Sequence, residues 1–309
     1  MPQVIDTNPQ AALGFLVNQK AYIEPQVYQI KYPDLKYGQF LFVDTSAPDW
    51  ADSVIVRSMD MKGELQFLGP NSGDVKAAQT AYAQGAHALK TAALGYGYSL
   101  EEIGQAMFLG TNLDSERAMG TRRLVEQGLN KLALLGNAEA GYEGLYNNSA
   151  ISKETAASTL KTLIAAIGTN GVQPIVTFFK NAINKVYVTN TNTTYRPTNV
   201  TLTPEEFELL DSTIIPNGSN ETVMQFLIRN LRNVGINDDV NLIGAGASDT
   251  ARMVVHTNSR ECAKFHLNMP LRFLQPATAD NLNFFVPAIV RTGGTEIRIP
   301  KTMHYVDGI

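Results

Sequence analysis

A single cysteine, Cys262, rules out any disulfide within the chain, so the fold forms without cross-links. At 309 residues this is feasible, because a chain of that length buries a full core as one large domain or two. Long apolar runs are also missing. No stretch approaches the roughly 20 residues that cross a bilayer, and the opening MPQVIDTNPQ has neither the basic nor the apolar region of a secretory signal. Five Asn-x-Ser/Thr sequons, beginning at Asn147, Asn192, Asn199, Asn217 and Asn220, therefore read as polar loop sequence and are assigned no glycans. Charge is scarce: Asp, Glu, Lys and Arg make up 17% of residues, against about 25% in an ordinary soluble domain. Protein neighbours could cover the uncharged surface that remains. A net charge of −4 lacks the basic surplus of a dedicated nucleic-acid binder.

The strongest local signal is the run Asp114 to Gly136. Ala118, Thr121, Val125, Gly128, Leu129, Leu132 and Leu135 recur at three- and four-residue spacing, with Glu116, Arg123, Gln127, Asn130 and Lys131 opposite. This predicts a long amphipathic helix, capped at Asp114 and ended by Gly136 in a left-handed conformation. Gly120 and Gly128 inside it each cost about 1 kcal/mol relative to Ala, which predicts that another backbone approaches there.

Elsewhere the pattern mixes strands and helices without βαβ alternation, which gives the α+β class. Residues 2 to 36 hold short apolar patches among Pro2, Pro9, Pro25 and Pro33 and read as an arm. Ser53 to Leu68 is a hairpin candidate turning at Lys62-Gly63, and its charges include Arg57 and Asp60. The Ala-rich stretch that follows, to Tyr98, gives no period. Ser99-Leu100-Glu101-Glu102 matches a capping box that opens a short helix through Met107. Helices are predicted over Ser152 to Ile167, Val172 to Val186, after Thr203-Pro204-Glu205-Glu206, and over Glu221 to Asn230. Val240 to Ile243 reads as a short strand, and Phe284 to Arg291 and Thr295 to Ile299 as strands around a Gly293-Gly294 turn.

Catalytic patterns are weak. Val240 to Asp249 imitates a strand entering a dinucleotide-binding glycine turn, but Asp249 stands where the third glycine belongs and would repel phosphate. The same segment lacks the closing glycine of a nucleophile elbow. His256, Cys262 and His266 are too few for a closed zinc site. No catalytic, cofactor or metal residue is assigned. Arg117, Arg122, Arg123 and Lys131 give the long helix a basic flank that either faces nucleic acid or is simply solvated, Glu116 and Glu126 interrupting it.

The order of segments resembles the major capsid proteins of tailed bacteriophages, the Hong Kong 97-type fold shared with encapsulin shells. Tyr96-Gly97-Tyr98-Ser99-Leu100-Glu101-Glu102-Ile103, Asn112-Leu113-Asp114, the long helix, and Gly136 with Gly144-Leu145-Tyr146-Asn147 carry one part of the resemblance. Leu202-Thr203-Pro204-Glu205-Glu206-Phe207, Met269-Pro270-Leu271-Arg272-Phe273, Phe285-Val286-Pro287, Ile297-Arg298-Ile299-Pro300-Lys301 and the closing Tyr305-Val306-Asp307-Gly308-Ile309 carry the other. The resemblance implies an N-terminal arm over 1–36, an extended loop and its return over 37–98, and a spine-helix part of the peripheral domain over 99–151. An axial domain would follow over 152–262, with C-terminal strands returning to the peripheral domain over 263–309. It further implies a non-enzymatic virion shell subunit, assembled in the bacterial cytoplasm, that forms pentamers and hexamers around packaged double-stranded DNA. Portal, scaffold or decoration proteins would be its partners, and no membrane. With the arm beginning near Met1, a separate scaffold or none is expected. Arg57, Asp60, Gly120 and Gly128 are the candidate assembly residues, and Arg117, Arg122, Arg123 and Lys131 the candidate DNA-facing ones. The alternatives are an encapsulin-like compartment shell and a cytosolic α+β enzyme using the Gly244-Ala245-Gly246 turn.

Overall fold

A computed structural model describes residues 35–62, 77, 79–102, 108, 113–216, 220–278 and 282–309. The predicted arm falls outside them, apart from its last two residues. Chain order is a short helix α1 (Tyr37–Phe40), β1 (Phe42–Asp44), β2 (Ser53–Lys62), β3 (Gln79–Ala88), β4 (Lys90–Ser99) and the long helix α2 (Leu113–Leu135). Then come β5 (Gly136–Asn137), β6 (Tyr142–Glu143), β7 (Ser152–Thr155), α3 (Leu160–Ala165), α4 (Ile167–Asn170) and α5 (Gln173–Asn184), which runs on as a π-helical turn Lys185–Asn190. The chain continues through β8 (Asn199–Leu202), α6 (Pro204–Ser212), α7 (Val223–Asn230), β9 (Gly235–Asp238) and β10 (Arg252–His256). It closes with β11 (Ala263–Phe273), β12 (Ala277–Thr278), β13 (Asn283–Ile297) and β14 (Met303–Asp307).

Two five-stranded sheets organise these elements. In the first, β13 pairs antiparallel with β11 on one edge and with β4 on the other, β1 extends the sheet parallel to β11, and β12 joins the first residues of β13. In the second the order is β7-β14-β10-β8-β9. The predicted helix over Ser152 to Ile167 is corrected at its start, since Ser152–Thr155 lies parallel to His304–Asp307 as a strand. The helix begins only after Thr159, whose Oγ1 accepts the Thr162 N–H. The predicted strand at Val240 to Ile243 is instead a tight 3₁₀ turn capped by Asp239, and Gly293-Gly294 is no turn. Both glycines lie within the continuous strand β13, and the pairing with β11 shifts register beside them. Gly294 takes φ +68°, open to glycine without penalty, and the Tyr142 ring packs where a side chain would stand.

The second sheet is a wall shared by two cores. Met253, Val255 and Val306 face one core with Leu160, Ile175, Phe179, Leu210 and Leu227 of the helices. Val254, Met303 and Tyr305 face the other with Val125, Leu129, Ala133 and Leu134 of α2. Strand alternation alone produces this, because successive side chains project to opposite faces. At the end of the wall Arg252 is tied to Asp307 by Nε to Oδ1 at 2.6 Å and Nη2 to Oδ2 at 2.9 Å, and Nη1 donates to Tyr146 O at 2.7 Å. The guanidinium also lies 4.6 Å from the Tyr305 ring.

The long helix starts at Leu113, so Asp114 sits inside its first turn and is not the residue before it. Gly136 takes φ +74° as expected. The last carbonyls are not left to water: Leu145 and Tyr146 donate their N–H groups to Ala133 O at 3.0 Å and Leu134 O at 2.8 Å. That close approach requires Gly144, where a Cβ would stand 2.3 Å from Leu134 O. Thr121, Val125, Leu129 and Ala133 form the buried stripe, whereas Gly128, expected among them, is exposed.

His256 in β10 is fully buried, edge-on to Phe40 at 5.9 Å, with Asn199 Nδ2 3.4 Å from its Nε2. Burial pushes its pKa down to about 4. In the unfolded chain it takes up a proton near pH 6.5, whereas the native protein does so only near 4, so acidification favours unfolding. Stability should fall by about 3 kcal/mol as the pH drops from 6.5 to 4. Urea titrations across that window should show this slope, and His256→Gln should flatten it; an equally steep slope in the variant contradicts the assignment.

Candidate assembly interface

The strands β2 and β3 pair along ten residues each, from Ser53↔Ala88 to Lys62↔Gln79, and with no other strand among the described residues. The first strand of the hairpin expected at Ser53 to Leu68 is therefore present, but it pairs with a later segment, and the rest of that reading, from Gly63 to Leu68, lies outside the described residues. The second strand is Gln79–Ala88, and the connecting residues fall largely outside those described. Sequence reasoning missed this partner because an Ala-, Gln- and Tyr-rich stretch carries no two-residue hydrophobic alternation. Ile55, Arg57 and Tyr82 are exposed on this ribbon, and Arg57 stands opposite Gln84. Asp60 pairs through its backbone with Ala81. Two-stranded ribbons of this kind are marginal in water without a third element beneath them.

At its root the ribbon is fastened to the first sheet. Leu89 N–H donates to Asp52 O at 3.0 Å, Tyr142 Oη–H to Ala88 O at 2.9 Å, and Arg291 Nη2 to Asp52 Oδ1 at 2.9 Å. The His87 Nε2 lies 2.6 Å from Gly293 O, its ring 5.4 Å from that of His266, whose Nε2 is 2.7 Å from Glu296 Oε2. Burial, with the neighbouring His266, holds the His87 pKa below its ordinary value. A side chain at Gly293 would meet Leu89, His87 and His266 within 3.2 Å, so this glycine is what lets the root seat.

Beyond the root, β4 reads Gly95-Tyr96-Gly97-Tyr98. Tyr96 and Tyr98 stack edge-on at 5.5 Å, and Tyr96 meets Phe273 at 5.9 Å. The Phe285 ring occupies the space over Gly95, whose Cβ would fall 2.3 Å from Phe285 Cζ. The alternation of glycine with tyrosine is the sequence signal for this strip, glycine admitting the Phe285 ring. Ser99 and Glu102 form the expected capping box, with Ser99 N–H to Glu102 Oε2 at 3.1 Å and Glu102 N–H to Ser99 Oγ at 3.2 Å. The rest of that helix, to Met107, lies outside the described residues.

Of the basic flank, Arg117 is engaged within the chain. It pairs with Glu102 at 2.9 Å, donates to Gly97 O, and lies 4.7 Å from the Tyr98 ring. The hydrogen bond from Arg117 holds the Glu102 carboxyl below the usual carboxylate range. Arg117 thus joins α2 to β4. Arg122 and Lys131 are exposed and Arg123 half-buried. Gly120 and Gly128 are exposed, and nothing in the chain lies within 4 Å of a Cβ built on either, so the expected close backbone is not this chain's own. The two flank exposed Leu124 at four-residue spacing on one helix face.

Gly244-Ala245-Gly246 joins two 3₁₀ turns and feeds no helix, and Asp307 Oδ2 accepts the Ala247 N–H where a phosphate oxygen would sit in a nucleotide site. Cys262 is buried and its thiol pushed up by burial, while His256 and His266 have the separate partners given above. Among the described residues no cluster of His, Cys, Asp and Glu could hold a metal ion, and no helix is long and apolar enough to cross a membrane.

Gly128→Ala should fold normally and stabilise the isolated subunit by about 0.5–1 kcal/mol, read by thermal melting. Destabilisation would show a contact within the chain that the open space excludes.

Comparison with solved structures gives the same architecture repeatedly. The capsid of Myoviridae phage XM1 superimposes with TM-score 0.80 at 15% identity, covering 94% of this chain and 98% of that one. The capsid of a native GTA particle gives TM-score 0.66 at 11% identity over 98% and 99%, and a virus-like particle from Pyrococcus furiosus 0.55 at 13% over 87% and 91%. A search of curated proteins returns no match. These structures share the α+β capsid fold. The model of the family described as major capsid protein matches residues 63–309, and the chain belongs to that family.

Proposed function

We propose that this chain is the shell subunit of a tailed-phage head, self-assembling into pentamers and hexamers that enclose packaged double-stranded DNA. The observation that carries the reading beyond family membership is the β2–β3 ribbon. Ten residues long on each strand and paired only with itself among the described residues, it exposes Ile55, Arg57 and Tyr82 to whatever lies beside it. A neighbouring copy would supply the missing support. Low charge content has the same rationale, much of the surface being interface.

In this reading residues 1–36 are the arm, 37–98 the extended loop and its return, and 99–151 the spine. The axial domain is 152–262, and 263–309 the closing strands. Arg57, Asp60, Gly120 and Gly128 lie at contacts between copies, the two glycines admitting a neighbour's backbone onto the exposed face of α2. Arg122, Arg123 and Lys131 are the DNA-facing candidates; Arg117 serves the fold first. Portal, scaffold or decoration proteins complete the particle, which assembles in the bacterial cytoplasm without catalysis. The phage reading is preferred to an encapsulin-like compartment because the chain belongs to the major capsid protein family and the phage XM1 capsid superimposes with TM-score 0.80.

Light scattering and negative-stain microscopy of purified protein, expressed alone and then with a candidate scaffold, should reveal closed megadalton shells. A small discrete oligomer under every condition would overturn the proposal.

A further inference from the structure

Charge along the axial part of the chain is segregated. From Thr155 to Pro204 the chain carries Lys161, Lys180, Lys185 and Arg196 and no acid; from Glu205 to Ile228 it carries Glu205, Glu206, Glu208, Asp211 and Glu221 and no base. Lys161, Lys180 and Arg196 are exposed, as are Glu205, Glu208 and Asp211. Among the described residues no ion pair joins the two blocks, the single bridge nearby being Arg229 to Glu221 at 3.1 Å. One member of the acidic block is under electrostatic stress. Glu206 has a buried Oε2 without a hydrogen-bond partner, and burial together with neighbouring Glu205 pushes its carboxyl above the usual range.

The fold places these blocks on the two halves of a helical row, the bases of Lys161 and Lys180 on α3 and α5 and the acids on α6 and just before α7. Helix α3 packs on both α5 and α6, and α6 packs on α7, which gives the order α5-α3-α6-α7 over one core. At the α5 end lies an open groove of about 490 Å³ lined by Leu163, Gln173, Pro174, Phe178 and Asn181, with Lys180 on the same helix. At the other end Ile228 of α7 is exposed, as is Ile214 in the link between α6 and α7.

We propose that the α6–α7 end of one copy docks in the α3–α5 groove of the next, with Glu205, Glu208 and Asp211 facing Lys161 and Lys180 and Ile214 or Ile228 entering the groove. The inference rests on the shell reading and names the partner surface within the capsomer: a second copy, bound head to tail. A contact between two different patches of the same molecule is heterologous, and it closes into a ring when the rotation per copy divides a full turn. Opposite charge at the two patches speeds encounter and opposes head-to-head pairing.

The test reverses each patch in the full chain: Lys161→Glu with Lys180→Glu, Glu205→Lys with Glu208→Lys, and all four together. These are exposed positions, where substitutions ordinarily leave folding intact, and melting curves verify that. Each pair alone should reduce shell yield at least tenfold by light scattering, and the fourfold variant should restore it. An equimolar mixture of the two pair variants can close only by alternation, so it should give even-membered rings and no pentamers. Wild-type shell yield from either pair variant, or no recovery in the fourfold variant, overturns the proposal. If wild-type protein forms no shells at all, the shell reading fails on its own. The inference is then judged on whatever rings form, whose mass must drop in the pair variants and return in the fourfold one.

Discussion

The bidentate pair between Arg252 and Asp307 is the constraint on which the two cores jointly depend. Both side chains are about 5% exposed, and both belong to the adjacent strands β10 and β14 whose alternate residues face opposite cores. The pair also reaches outward: Arg252 holds Tyr146 O, just after the end of the long helix, and Asp307 accepts Ala247 N–H from the loop after β9. Leaving one of two buried charges without its partner costs about 3–5 kcal/mol, because the remaining ion has neither water nor a counterion. A single salt link thereby ties the segment after α2, the loop between β9 and β10, and the shared wall together. Burial alone would raise the Asp307 carboxyl; the guanidinium and the Ala247 N–H outweigh it and hold it low.

Such an arrangement suits a shell subunit. Residues 35–309 form one compact unit, so a load on the helices α3 to α7 can pass through the packed strands of the wall. The ribbon itself is the exception, fastened only at its root by Leu89, Tyr142, His87 and Asp52. A rigid wall with one extended, thinly supported element lets the same sequence meet neighbours at slightly different angles.

The elements that the sequence exposed were those decided locally. The α2 stripe follows from helical periodicity, the Ser99–Glu102 box from reciprocal hydrogen bonds three residues apart, and α6 from a proline in its first turn followed by Glu205 and Glu206. What stayed hidden was decided by distant partners. Ser152–Thr155 is a strand only because β14 lies alongside it. Gly293-Gly294 looks like a turn in isolation and is a bulge because β11 and Tyr142 demand one. Gly128 is exposed although helical spacing groups it with the buried stripe, since a residue without a side chain gives periodicity no vote. The head-to-tail charge blocks were plain in the sequence but had no meaning until the helical order α5-α3-α6-α7 was known.

Hydrogen exchange of the intact subunit tests the central claim, that the shared wall makes both cores one cooperative unit. Amides of α5, such as Ile175 to Ile183, and of α2, such as Val125 to Leu134, should lose protection together at a single free energy. Asp307→Asn should lower both by the same amount, about 3–5 kcal/mol. Independent loss of protection in the two helices, or an effect of the substitution confined to one of them, would contradict it.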